Sequence, residues 1–256
     1  MPPASDNPKG FYEPVDIAQY QQGLLESLGM SWDAIEPPPK SWFYSKRAGR
    51  AAEIICDLVT SGYEAKSSIV VKDPRSALLI PLWSKVATKF NLELECFIPL
   101  RHPLDVANSL AKRNSIPQSK ALFIWLNYYY TAELSTRSMP RTFIYFPDWC
   151  LDIEENIKKM ESDLRRSFPN KNSSALQKIS DDFEHSLVSH ASKDGDASAA
   201  LIKYAEDTLA LAKQLGDSGE SGACLDLIDL QRKRFRRNTL GLLSTDKKNI
   251  CELCRD

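Results

Sequence analysis

The sequence predicts an α/β protein built on a parallel sheet with helices on both faces. Three short apolar runs, SSIVVKDP (67–74), LELECFIPL (92–100) and RTFIYF (141–146), have the β-branched and aromatic content of buried strands. The segments between them repeat apolar residues at helical spacing. Strands alternating with helices in this way pair in parallel, because each return to the sheet runs through a crossover helix. At 256 residues, 43% hydrophobic and 26% charged, the chain can bury a sizeable core.

Each element has its own signal. Residues 1–14, rich in Pro, Asn, Asp and Gly, read as loop. Ile17, Leu24, Leu25 and Leu28 predict a helix from Val15 to Leu28, stopped by Gly29. EPPPK (36–40) forbids regular structure. Ala51, Ile54, Ile55, Leu58 and Val59 form the apolar stripe of a second helix over 46–61. Helices are expected over 76–90, from Pro103, over 119–137 and over 149–168, where Pro103 suits a first helical turn. Residues 169–197 read as surface loop, and a helix returns over 199–215. The expected organisation is an α/β domain over 1–215 and a helical tail over 216–256.

The net charge of -1 gives no global field for nucleic acid or an anionic membrane. Apolar runs such as SALLIPLW (76–83) are too short to span a bilayer, and the N-terminus has no apolar signal region. The six cysteines are scattered, with Cys56 and Cys96 in apolar runs, which fits a reducing cytoplasmic compartment and no disulfide framework. CELC (251–254) is a lone CxxC and does not read as a metal site. His185 and His190 are too isolated to read as ligands. QRKRFRRN (231–238) reads as the solvated face of a helix containing Phe235.

Ligands of parallel α/β sheets bind beyond the carboxyl ends of the strands. Two predicted strands end there in charge, at Lys72-Asp73-Pro74-Arg75 and at Arg101-His102-Pro103. Lys72, Arg75 and Arg101 therefore form a candidate anion site. On a wheel of the following helix, Leu104, Ala107 and Leu110 fall on one side, and Asp105, Ser109 and Lys112 on the other. Ser109 is thus available to an anion held by Arg101, although spacing alone also fits a solvated serine and a loop arginine. Asp73 reads as a partner of Arg75 or as a helix cap, and His102 as a local cap or a base. Trp125 of WLNYYY (125–130) reads as core, the other aromatics as core or as a sugar platform.

VVKDPR (70–75), PLW (81–83) and above all PLRHPLDVANSLAKR (99–113) resemble the core of the sulfotransferase family, which uses 3′-phosphoadenosine 5′-phosphosulfate as donor. WLNYYY, RTFIYFPDWCLD (141–152), DNPKGFYEP (6–14) and FEHSLVSH (183–190) are similar to segments of its bacterial carbohydrate-type branch. The resemblance spans about residues 6–215. It implies a three-layer fold like that of P-loop nucleoside triphosphate hydrolases. It implies that Arg101 and Ser109 grip the donor's 3′-phosphate, converging on one point at the edge that also holds Lys72, and that Arg75 assists. Lys72 then supplies charge beside the moving sulfonate and Glu13 is the base. A solvated lysine and a surface carboxylate are the other readings of those two residues. The acceptor implied is a carbohydrate or glycolipid hydroxyl; no metal is expected.

One feature departs from the family. None of the 10 glycines lies in GxxxxGK[ST] or in a Gly-x-x-Arg-Ser-Gly loop of the kind that cradles a 5′-phosphosulfate. The expectation is that the first strand and its loop are missing from the N-terminus and that transfer by this chain is slow. The alternative is a non-catalytic sulfotransferase-like remnant serving as a binding or scaffold module.

Overall fold

The computed structural model describes residues 13–62, 68–149, 151–169, 171, 174, 195–219 and 221–253. Helix α1 (Val15–Ser27) turns Ile17, Ala18 and Leu25 inward, and the chain leaves it through Gly29 at φ +68°, a left-handed turn that suits glycine. Helix α2 (Lys46–Gly62) buries Ala48, Ala51, Ala52, Ile55 and Val59. A 3-10 turn (Pro74–Leu78) leads into helix α3 (Ile80–Phe90), which buries Leu82, Trp83 and Val86. These helices enclose one apolar cluster.

A second cluster surrounds a two-stranded parallel sheet. Strand β1 (Cys96–Leu100) pairs with β2 (Arg141–Tyr145), with Cys96 opposite Arg141 and Leu100 opposite Tyr145. Between them run helices α4 (Pro103–Asn114) and α5 (Gln118–Thr136). Cys96, Ile98 and Leu100 face inward, while Phe97 and Pro99 face outward. Beyond β2 come a short turn of helix, α6 (Phe146–Trp149), then α7 (Ile153–Leu164), α8 (Ala199–Ser218) and α9 (Gly222–Leu253). Helix α8 approaches β2 so closely that a Cβ at Gly216 would lie 2.9 Å from the Cβ of Phe143. Ile228 and Phe235 of α9 enter this second cluster. Tyr128 of α5 packs against both clusters.

The mixed helix-and-strand character matches the expectation, but the sheet is smaller. Residues 68–73 adopt no regular secondary structure. Their burial alternates as in a strand: Ile69 and Val71 are half-buried, Asp73 is buried and Val70 is 78% exposed. The side-chain pattern of a strand is present without a ladder partner among the described residues, and unpaired backbone does not make a strand. The helix expected over 149–168 is shorter: α6 ends at Trp149, and α7 starts only at Ile153, where Asp152 caps it by accepting from Glu155 N, and ends at Leu164. Among the described residues no helix is long and apolar enough to cross a membrane.

Candidate functional site

The candidate residues fall into two groups built on different elements. In the first, Glu13 stands just before α1 and is 8% exposed, so it is not the surface carboxylate that a loop position suggests. Lys72 Nζ lies 3.0 Å from Glu13 Oε1, and Arg75 Nη2 lies 3.2 Å from Oε2. The structure thus joins three sequence-predicted site residues, Glu13 meeting Lys72 across 59 positions of chain and Arg75 across 62. The Lys72 side chain is 54% exposed and that of Arg75 only 14%, so solvent reaches the cluster from the lysine side.

A second layer holds this cluster. Asp73 takes both roles open to it: it accepts from Arg75 N at 3.0 Å, capping the 3-10 turn, and pairs with Arg75 Nε. Burial pushes the Asp73 carboxyl up from the usual range, while Arg75 opposes that shift. Gln21, fully buried in α1, donates to Asp73 Oδ2 at 2.6 Å. Its Oε1 accepts from Trp83 Nε1 at 2.9 Å and from Ser76 Oγ at 3.2 Å. Every polar end of the Gln21 side chain is used.

The second group lies at the carboxyl end of the sheet. Arg101 leaves β1 two residues before α4, and its guanidinium lies 5.3 Å over the Phe146 ring. Its Nε is 3.9 Å from Asp105 Oδ2. Asp105 is 7% exposed, which corrects its expected place on the solvent side of the helix. Ser109 is exposed on α4, one turn after Asp105 on the same face.

His102 occupies the N-cap position of α4 without a side-chain capping bond, and its Nε2 is 3.9 Å from Glu206 of α8. At the end of β2, Lys213 of α8 lies 3.8 Å over the Tyr145 ring and 3.9 Å from Asp148. Burial, then Asp148 and Asp105, raise the Tyr145 phenol above its ordinary value.

Lys72 and Arg75 belong to the α1 and 3-10-turn cluster, whereas Arg101 and Ser109 belong to the sheet edge. The expectation of a single strand-end edge carrying all four rested on a strand at 67–74, of which residues 68–73 adopt no regular secondary structure. Sequence reasoning also missed Gln21, Asp105, Tyr145 and Lys213. Only Asp105 had a local signal, its position four residues after Arg101.

Other motifs resolve into packing. Trp125 and Tyr129 stack at 5.7 Å in the core, and Tyr130 is fully buried. In the basic run, Arg232 pairs with Asp229. Arg236 is not part of a solvated face: it donates to Asn127 Oδ1 at 2.9 Å, and burial pulls its guanidinium down to about 10. His185, His190 and Cys254 lie outside the described residues. No group of three or more His, Cys, Asp or Glu is arranged to hold a metal ion among the described residues. No family model, curated protein or solved structure matches this chain.

Proposed function

We propose that this chain is a cytoplasmic sulfotransferase-like protein that binds 3′-phosphoadenosine 5′-phosphosulfate and passes its sulfonate to a hydroxyl of a carbohydrate or glycolipid. One observation carries the reading. Arg101 leaves the carboxyl end of a parallel strand directly into the N-terminus of a helix of 12 residues that bears exposed Ser109. A guanidinium, a hydroxyl and the positive end of a helix are the groups that suit a phosphate, so these residues fit the donor's 3′-phosphate. On this reading the two paired strands belong to a three-layer, P-loop-like sheet.

The donor supplies an activated sulfonate whose bond to the 5′-phosphate breaks as the acceptor oxygen attacks. Arg101 and Ser109 hold the 3′-phosphate, and Arg75 and Lys72 offer positive charge. Glu13, held by both cations, takes the acceptor's proton. A second reading is a module that binds the nucleotide without turning it over. It is favoured by the engagement of both Glu13 oxygens in ion pairs.

Calorimetric titration with adenosine 3′,5′-bisphosphate tests the shared step. Wild type is expected to bind it, and Arg101→Ala to lose about 1.5–3 kcal/mol of binding. Adenosine 5′-monophosphate, which lacks the 3′-phosphate, is expected to bind both proteins equally poorly. Equal affinity of wild type and Arg101→Ala for the bisphosphate rejects the role of Arg101. Turnover of a radiolabelled donor on mixed glycans separates the two readings.

A further inference from the structure

Asp105 carries more than its contact with Arg101. The Asp105 side chain is 9% exposed. Its Oδ2 faces Arg101, but its Oδ1 is buried and accepts no hydrogen bond from a described residue. The neighbouring His102 Nδ1 is also buried without a partner. His102 is the N-cap of α4 and Asp105 lies in its first turn, both beside the cation at the end of β1. A carboxylate oxygen removed from water and given no donor is costly. A ligand hydroxyl is one donor that satisfies such an atom.

The partner of Oδ1 must be a hydrogen-bond donor, since an ionised carboxylate only accepts. On the nucleotide reading, Arg101 also holds the ligand's 3′-phosphate. A ligand serving both carries a hydroxyl beside an anionic group, as on adjacent carbons of a sugar ring. We propose that Asp105 Oδ1 accepts a hydrogen bond from the ribose 2′-hydroxyl of the bound nucleotide, vicinal to the 3′-phosphate held by Arg101. This rests on the nucleotide reading above and extends it to selectivity for the ribose form of the ligand. The 2′-deoxy form leaves Oδ1 buried and unpaired, the condition under which a site rejects an analogue that lacks one polar group.

The test is a calorimetric comparison of adenosine 3′,5′-bisphosphate with 2′-deoxyadenosine 3′,5′-bisphosphate. Wild type is expected to favour the ribose form by about ten- to a hundredfold, the range of a hydrogen bond to a charged group. In Asp105→Asn, which keeps the side chain's shape, the preference falls. In Asp105→Ala it approaches one, while both variants still bind the bisphosphate through Arg101. Thermal melts check that each variant is folded, and the wild-type comparison needs no variant. Equal binding of the two ligands by wild type overturns the proposal and leaves the nucleotide reading standing. A preference that persists unchanged in folded Asp105 variants also overturns it. Binding of neither ligand removes the nucleotide reading and this proposal together.

Discussion

At the scale of single residues, Gln21 uses both ends of its buried amide. It joins the indole of Trp83, the hydroxyl of Ser76 and the carboxylate of Asp73, and through Asp73 it orients Arg75 against Glu13. A buried amide in that position fixes geometry because it satisfies several buried partners at once. Gln21→Leu leaves the Trp83 N–H without its acceptor and removes one of two donors to Asp73 Oδ2, which keeps Arg75 Nε. It is expected to destabilise the protein by about 1–3 kcal/mol for the stranded indole N–H. The denaturant midpoint should fall with an unchanged slope. A midpoint equal to that of wild type would mean that these bonds add nothing net. Glu13 shows why the cluster was only half legible in the sequence. Lys72, Asp73 and Arg75 adjoin one another at the end of an apolar run, so their proximity could be read. Their meeting with Glu13 and Gln21 depends on how α1 packs, which no local pattern encodes.

At the scale of elements, helix α9 is fastened through charge. Arg137 at the end of α5 reaches Glu133 and Asp229 of α9, both at 2.8 Å. Arg141 at the start of β2 donates to the Glu133 carbonyl at 2.5 Å. The hydrogen bond from Arg137, then that from Arg232, holds the Asp229 carboxyl below the usual carboxylate range. The folded value lies below the unfolded one, so the pair's stabilisation is complete above the unfolded value, about 4. It is lost as pH falls through the lower, folded value. Asp229→Asn should therefore be less stable than wild type at pH 7, with the gap closing toward pH 3. Because Asp229 is 30% exposed at its side chain, the gap should be under about 1 kcal/mol. Urea unfolding at pH 7, 5 and 3 measures it; a gap constant with pH would reject the pairing as its source. The sequence placed most helices because their stripes and stops are local: Ile55 and Val59 mark α2, and Pro103 opens α4. The segment 67–74 was misplaced because alternation at Ile69, Val70 and Val71 reports which side chains are covered, not whether a neighbouring strand is there.

At the scale of the whole molecule, two apolar clusters share one helix. Leu122, Leu126 and Tyr130 of α5 belong to the cluster around the sheet, while Tyr128 also touches the cluster under α1, α2 and α3. The Tyr128 hydroxyl donates to the Trp32 carbonyl at 2.6 Å, tying the segment after α1 to the same helix. Burial raises the phenol of Tyr128 far above its ordinary value, so the ring keeps its proton across the working range of pH and the bond is insensitive to it. Tyr128 therefore couples two bodies that each carry a core. Loss of the hydroxyl in Tyr128→Phe should cost about 1 kcal/mol and leave one cooperative transition. Loss of the ring in Tyr128→Ala removes packing from both clusters, at about 3–5 kcal/mol by the scale of aromatic truncations. If the ring is the coupling, unfolding of the alanine variant should lose coincidence between tryptophan fluorescence and far-ultraviolet circular dichroism, because Trp83 and Trp125 report different clusters. Coincident, single transitions in Tyr128→Ala would show that the remaining contacts of α5 with α3 and the Pro74–Leu78 turn hold the two clusters together without it.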